Sequence, residues 1–141
     1  MSPRDTTTGS VLEQMVLPAL KKGHYEFQKQ VNIGERLGGG KHLVDIVAKN
    51  KNGELFLVSL KWQQVSGTAE QKVPYEVMCL TEIIISSNKK YKKAYVVLGG
   101  NGWKLRDFYT KGGLAKYLKY ESQVLIVTLE DFVFKANSGK L

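Results

Sequence analysis

The sequence predicts an α/β fold, with a mixed central β-sheet flanked by helices. Three observations carry this. Between residues 24 and 61, three apolar stretches follow one another with only turn residues between them, the pattern of an antiparallel meander. Beyond residue 68, stretches with helical spacing alternate with short apolar runs, as in strand–helix–strand units. Hydrophobic residues make up 43% of the 141-residue chain and charged residues 24%, enough apolar side chain to fill a core and too much for a disordered chain.

The elements follow in order. Residues 1 to 9 read as a loose polar start. Ser10, with Glu13 three residues on, forms a capping-box pattern, so a helix is predicted from Val11 to Lys22, bent or briefly broken at Pro18. Residues 24–33 (HYEFQKQVNI) read as the first strand, GERLGGGKH as a flexible turn, and residues 42–49 (HLVDIVAK) as the second strand. Asn50 to Gly53 is a hairpin turn signal. Residues 54–61 (ELFLVSLK) are apolar on both faces, which predicts a buried central strand. Thr68 and Gln71 repeat the capping pattern before a helix from Ala69 to Ser86, with Pro74 producing a kink or a late start. Residues 94–98 are a buried strand closed by GGNG. Trp103 to Tyr120 is predicted mostly helical, interrupted at Gly112 and Gly113. Residues 123–127 form the last strand, and Thr128 caps a short helix, LEDFVF. Ala136 to Leu141 read as a loose end, and the whole of residues 1–141 as one domain.

Composition narrows function. A single cysteine, Cys79, excludes an internal disulfide and reads as a buried thiol on an apolar helix face. With only His24 and His42 beside it, a Cys/His zinc site is excluded as well. No apolar run reaches the roughly 20 residues that span a bilayer. Val11 to Leu20 is broken by Glu13, Gln14 and Pro18, so no signal peptide is expected and a cytoplasmic, non-membrane location is. The net charge of +8 favours a polyanionic partner.

Two charges stand out in apolar strands. Asp45 lies between Val44 and Ile46, and Lys61 follows LFLVSL. A charge in such a setting must be paired, metal-bound or at an open edge. The hairpin at Asn50–Gly53 sets the two strands side by side, and alternation puts Ser59 and Lys61 on one face. Two readings are equal on this pattern: a structural Asp–Lys ion pair, or a carboxylate that holds a divalent cation beside a lysine that orients water or steadies charge on a phosphate.

Helix, GGGKHLVDIV strand, LFLVSLK strand and a helix opened by GTAEQK together resemble the PD-(D/E)XK nuclease superfamily, which includes many restriction enzymes and junction resolvases. The resemblance implies a restriction-endonuclease-like core, a mixed central β-sheet flanked by helices in the order α-β-β-β-α-β-α-β. It implies Asp45 as the metal-binding aspartate and Lys61 as the motif lysine. The sequence departs from the pattern at Val44, where proline is usual, and at Ser59, where a second acid is expected. Serine does not replace a carboxylate as a metal ligand. Some members with serine here supply the acid from the following helix, which points to Glu76, with Glu70 as its competitor. Glu70 also reads as a first-turn carboxylate on the helix dipole. Glu13 resembles the extra acid that many members carry on the first helix for metal, and equally reads as the third residue of its capping box. Gln63 is a candidate for phosphate or water contact.

Basic residues form two groups. Lys89, Lys90, Lys92 and Lys93 surround Tyr91. Lys104 and Arg106 follow the fourth strand, with Lys111, Lys116 and Lys119 beyond. Such groups neutralise backbone phosphates; they also make an ordinary solvated surface. Lys41 and His42, beside the glycine-rich turn, are expected as flank contacts at the surface, and Trp103 as a core anchor or a base-stacking residue. The expected function is a Mg²⁺-dependent endodeoxyribonuclease (Mn²⁺ substituting) of restriction-like or junction-cutting type. Its substrate is duplex DNA, and it acts as a homodimer or with a partner subunit. The alternative is a catalytically inactive nucleic-acid-binding module on the same scaffold.

Overall fold

A computed structural model describes residues 7–141, with side chains from residue 9 onward. The polar start read over residues 1–9 lies largely outside the described residues. The first helix is already formed at Thr7: α1 (Thr7–Val11) runs through a π-helical turn (Leu12–Val16) into α2 (Leu17–Lys22). Ser10 therefore lies inside a helix and caps nothing. The predicted bend at Pro18 takes the form of the π turn. Proline has no N–H for a bond one turn back, and the turn before it widens so that Leu17 N–H donates to the Leu12 carbonyl.

Five strands form one sheet in sequence order: β1 (Glu26–Glu35), β2 (Lys41–Lys49), β3 (Leu55–Trp62), β4 (Tyr91–Gly99) and β5 (Val124–Thr128). β1 pairs antiparallel with β2 and β2 antiparallel with β3, and β4 and β5 run parallel to β3. The hairpins predicted by the turn residues account for the first half. Parallel strands need a crossover, and α3 (Ala69–Ser86) supplies the one from β3 to β4.

Each face of the sheet has its own core. On one face, α1, the π turn, α2 and α5 (Leu129–Asn137) pack Val16, Leu20, Phe132 and Ala136 against Ile46, Val58, Tyr95 and Val97. On the other, α3 packs Val73, Val77, Leu80 and Ile84 against Val44, Leu57, Val96 and Ile126. A fully buried side chain of this size contributes about 1.5–3 kcal/mol, so the alternating apolar runs fix both faces at once. Cys79 is fully buried on α3, as its apolar surroundings predict. Thr128 caps α5 as predicted, accepting from Asp131 N–H at 3.1 Å.

Three expectations are corrected. Trp103 to Tyr120 holds only α4 (Arg106–Thr110) and a 3-10 turn (Gly113–Lys116). The reason is partly tertiary: Leu105 N–H donates to Glu70 Oε2 and the Tyr109 hydroxyl to the Glu70 carbonyl, both on α3. Locally, the Trp103 indole N–H donates to the Gly99 carbonyl at 2.7 Å and Gly112 takes a left-handed conformation. The C-terminal residues are anchored, since Ala136 is fully buried and Leu141 N–H donates to the Tyr25 hydroxyl at 3.0 Å. The late start offered for α3 at Pro74 does not occur, since α3 begins at Ala69 with Pro74 inside it. Pro74 cannot donate to the Glu70 carbonyl, and the Tyr109 hydroxyl donates there instead at 2.7 Å. Among the described residues no helix is long and apolar enough to cross a membrane.

Candidate active site

The site is built where two strands part. β2 pairs with β3 only from Ile46–Lys49 against Leu55–Val58, whereas β3 stays paired with β4 as far as Trp62 and Gly99. Asp45 is the first residue beyond the β2–β3 pairing. Its carboxylate Oδ2 accepts from Leu60 N–H at 2.7 Å and so stands in for the lost ladder acceptor.

The same point is where the outer strands change face. Ile46 and Ala48 belong to the core under α2 and α5, while Val44 belongs to the core under α3. On β1, Phe27 packs on the first face and Val31 and Ile33 on the second. A strict period of two would keep each of these sets on one side. The break falls at Gln30, in the strand beside Asp45, whose φ of 52° lies in the left-handed region. This reversal turns His42 towards α3. The expectation of a surface His42 is thereby corrected: it is fully buried, with Nε2 3.4 Å from Glu76 Oε2.

Glu76 is the centre of the cluster. It sits on α3 with 2% of its surface exposed. Ser59 Oγ donates to its Oε2 at 2.6 Å, and Arg36 Nη1 donates to its Oε1 at 2.6 Å. Lys61 Nζ lies 3.9 Å from Oε2. Burial is the largest single influence on this carboxyl and opposes its ionisation. His42, Lys61, Ser59 and Arg36 together outweigh it and hold Glu76 well below the usual carboxylate range. Asp45 is pushed the other way. Burial raises it, the Leu60 N–H and Lys61 work against that rise, and the charge of Glu76 adds to it. Two carboxylates thus share one site with their proton affinities driven apart, a condition common at functional sites.

Glu70 and Gln63 stand beside this cluster and hold loops. Glu70 Oε2 accepts from Leu105 N–H. The Gln63 amide donates to the Gly102 carbonyl at 2.8 Å, and its oxygen accepts from Ala69 N–H at 3.0 Å. Gln63, not the Thr68 hydroxyl, therefore caps α3. The two loops it joins are in backbone contact: a Cβ on Gly100, where φ is +92°, would lie 2.4 Å from the Gln63 carbonyl oxygen. Gly100→Ala is expected to cost at least about 1–3 kcal/mol from backbone strain alone, read by chemical denaturation.

Glu13 projects from the π turn to Lys29 Nζ at 2.7 Å, on the face of the sheet away from α3. Lys104 and Arg106 follow the β4 end that pairs with Lys61 and Trp62. Lys89, Lys90, Lys92 and Lys93 lie at the start of β4, where Tyr91 pairs with Leu55. At about 3.3 Å per residue, that is roughly 20 Å along the strand from Lys61. Lys92 is paired there with Glu54 at 2.6 Å, and the Lys90 ammonium lies 5.5 Å from the centre of the Tyr91 ring. Lys41 is exposed at the start of β2. Trp103 is buried, as a core anchor. Arg36 was not singled out by the sequence: it lies in a glycine-rich turn, and only the tertiary fold brings it to Glu76.

A model of the PD-(D/E)XK nuclease superfamily domain matches residues 4–140. The chain belongs to the PD-(D/E)XK nuclease superfamily. Its mixed five-stranded sheet between helices is the restriction-endonuclease-like fold expected from the sequence. Among solved structures it is similar to a protein of unknown function, AF1548, with a TM-score of 0.51 at 10% identity, over 80% of this chain and 54% of that one. A repair endonuclease from Pyrococcus abyssi aligns with a TM-score of 0.44 at 12% identity, over 91% of this chain and 46% of the other. The chain thus spans about half the length of these structures, and the first of them bears on the fold alone. None of the curated proteins compared matches the chain in sequence.

Members of this superfamily generally use divalent metal ions. The donors here are carboxylate oxygens, which suit hard cations such as Mg²⁺ or Mn²⁺. Among the described residues no cluster of three or more acidic, histidine or cysteine side chains converges on one point. Asp45 and Glu76 would offer two carboxylates, and Mg²⁺ is commonly held by one or two carboxylates, with water and substrate phosphate completing the shell.

Proposed function

We propose that this nuclease-family chain is a single-domain, metal-dependent endodeoxyribonuclease that hydrolyses DNA phosphodiester bonds, with Asp45, Glu76 and Lys61 as its catalytic set. The observation that carries the reading is the 2.6 Å contact between Ser59 Oγ and Glu76 Oε2. Where the motif has an acid on the strand, this chain has a serine touching a carboxylate delivered from α3. The negative charge is kept in place while its source has moved.

Asp45 and Glu76 would hold the cation, Mg²⁺ by preference, which when bound supplies Lewis-acid stabilisation and a more acidic water. Glu76 is suited to this because it is held ionised at any ordinary pH. Asp45 is anchored by the Leu60 N–H through one oxygen, which fixes the direction of the carboxylate between the parted strands. Lys61 is partly exposed beside Glu76 and would orient the attacking water and meet charge growing on the phosphate. Lys41, Lys104 and Arg106 would contact the DNA backbone near the site. One such site cuts one strand, so duplex cleavage calls for a homodimer or a partner subunit.

One observation favours the second reading, a silent nucleic-acid-binding module: both oxygens of Glu76 are already engaged by protein donors. Incubation of supercoiled plasmid and of a branched duplex with Mg²⁺, Mn²⁺ or EDTA separates the two. The nuclease reading expects nicked or linear product with either metal, none with EDTA and none from Lys61→Ala. Salt-sensitive DNA binding without product in any metal would favour the silent module.

A further inference from the structure

Glu76 is bonded by an arginine from the glycine-rich turn between β1 and β2. Arg36 opens the turn between β1 and β2, and its guanidinium bonds Glu76 Oε1 at 2.6 Å while keeping 28% of its side chain exposed. The turn behind it is Gly38-Gly39-Gly40, all at positive φ, and a Cβ built on any of the three meets nothing within 4 Å. Its attachments are two hairpin bonds of its own backbone (Arg36 N–H to the Gly40 carbonyl and Gly39 N–H to the Arg36 carbonyl, both 2.9 Å) and the Tyr75 hydroxyl donating to the Leu37 carbonyl. The turn thus has three unpacked glycines behind Arg36 and is bonded to α3 at two residues, Glu76 and Tyr75.

Formal charge explains why such a clasp is needed. Asp45 and Glu76 bring two negative charges, and Arg36 and Lys61 bring two positive ones. The cluster is balanced as it stands. A divalent cation taking Glu76 would leave Arg36 without its partner and the site with two surplus positive charges, which a phosphodiester offsets in part. A guanidinium presents a planar fork that matches phosphate oxygens as well as it matches a carboxylate.

Resting on the reading of Glu76 as a metal ligand, we propose that Arg36 is a substrate-positioning residue, held on Glu76 until a divalent cation displaces it and then transferred to a DNA backbone phosphate. Arg36 therefore competes with metal and cooperates with DNA, and its loss must move the two affinities in opposite directions. A purely structural arginine would not do this.

The test uses the full chain with Arg36→Met and Glu76→Gln beside the wild type, each checked for folding by thermal melting. Mn²⁺ binding without DNA is measured by calorimetry, and binding of a short duplex in Ca²⁺ by fluorescence anisotropy. Arg36→Met is expected to tighten Mn²⁺ binding by at least about fivefold, within the usual range of coupling between sites, and to weaken duplex binding. Arg36→Lys keeps the charge but not the fork and is expected to fall between. Unchanged or weaker Mn²⁺ binding in a folded Arg36→Met, with Glu76→Gln still lowering it, would overturn the role of Arg36 alone. Mn²⁺ binding that Glu76→Gln leaves unaltered would overturn both this role and the metal-ligand reading of Glu76.

Discussion

Replacing Asp45 with asparagine is expected to leave the fold intact and to lower metal-dependent cleavage by at least about a thousandfold. The size follows from the charge stabilisation a catalytic cation provides, several kcal/mol, at about 1.4 kcal/mol per tenfold in rate. The fold should survive because the asparagine oxygen still accepts from Leu60 N–H, as Oδ2 does now at 2.7 Å. Asp45→Ala is the contrasting change. It removes the same ligand and also strips the Leu60 N–H of its acceptor, adding a penalty of about 1–3 kcal/mol. Single-turnover cleavage of a plasmid and denaturant unfolding of both variants check the pair. An asparagine variant that keeps wild-type cleavage would contradict the role of Asp45.

Glu76→Ala is expected to be the most destabilising substitution in the site, by about 3–5 kcal/mol, because it breaks a buried, hydrogen-bonded charge cluster from its centre. Arg36 and Lys61 retain some exposure and can turn to water. Ser59 and His42 cannot: both are buried, and His42 Nδ1 has no partner among the described residues. In a chain of this size the loss corresponds to a fall in Tm on the order of 10 °C.

The same carboxylate gives a pH signature. Its folded pKa lies below the ordinary value of 4.5. The stability it contributes is therefore fully present above that value and is lost as pH falls from there towards the folded value. Asp45, raised by burial, has the opposite sign and loses stability as pH rises through the acid range. Glu76→Gln is expected to flatten the acid limb of the stability curve, and Asp45→Asn to steepen it. Urea unfolding between neutral pH and pH 3 reads both slopes.

Much of the fold was legible because periodicity and turn residues report local structure. The hairpin at Asn50–Gly53, the buried run of β3 and the span of α3 follow from spacing alone. What was not legible depends on contacts between distant segments. Nothing near Trp103 says that Leu105 and Tyr109 will be held by Glu70 on α3, and so the stretch after β4 reads as more helical than it is. Thr68 looks like the cap of α3, yet Gln63 arrives from the preceding loop and takes that place.

The candidate site divides in the same way. Asp45 and Lys61 stand out because charge in an apolar strand has few explanations. Ser59 and Glu76 are linked in the sequence only through the family motif, which predicts an acid and finds a hydroxyl. The structure brings these two together with Lys61 and adds Arg36 and His42, which no pattern marks. His42 reaches Glu76 because β1 and β2 change face at Gln30 and Asp45, and a reversal of that kind breaks the period from which a sequence is read. Glu13 and the lysines around Tyr91 have the right chemistry for metal or phosphate, but they sit away from Glu76.

The most direct test of the central claim is the position of Mn²⁺ in crystals of the full chain soaked in manganese, located by its anomalous scattering. The expected result is one peak between the parted ends of β2 and β3, with carboxylate oxygens of both Asp45 and Glu76 within about 2.0–2.3 Å, the range for a small divalent cation on oxygen. A peak elsewhere, or one on Asp45 with Glu76 still bound to Arg36 and Ser59, would contradict it.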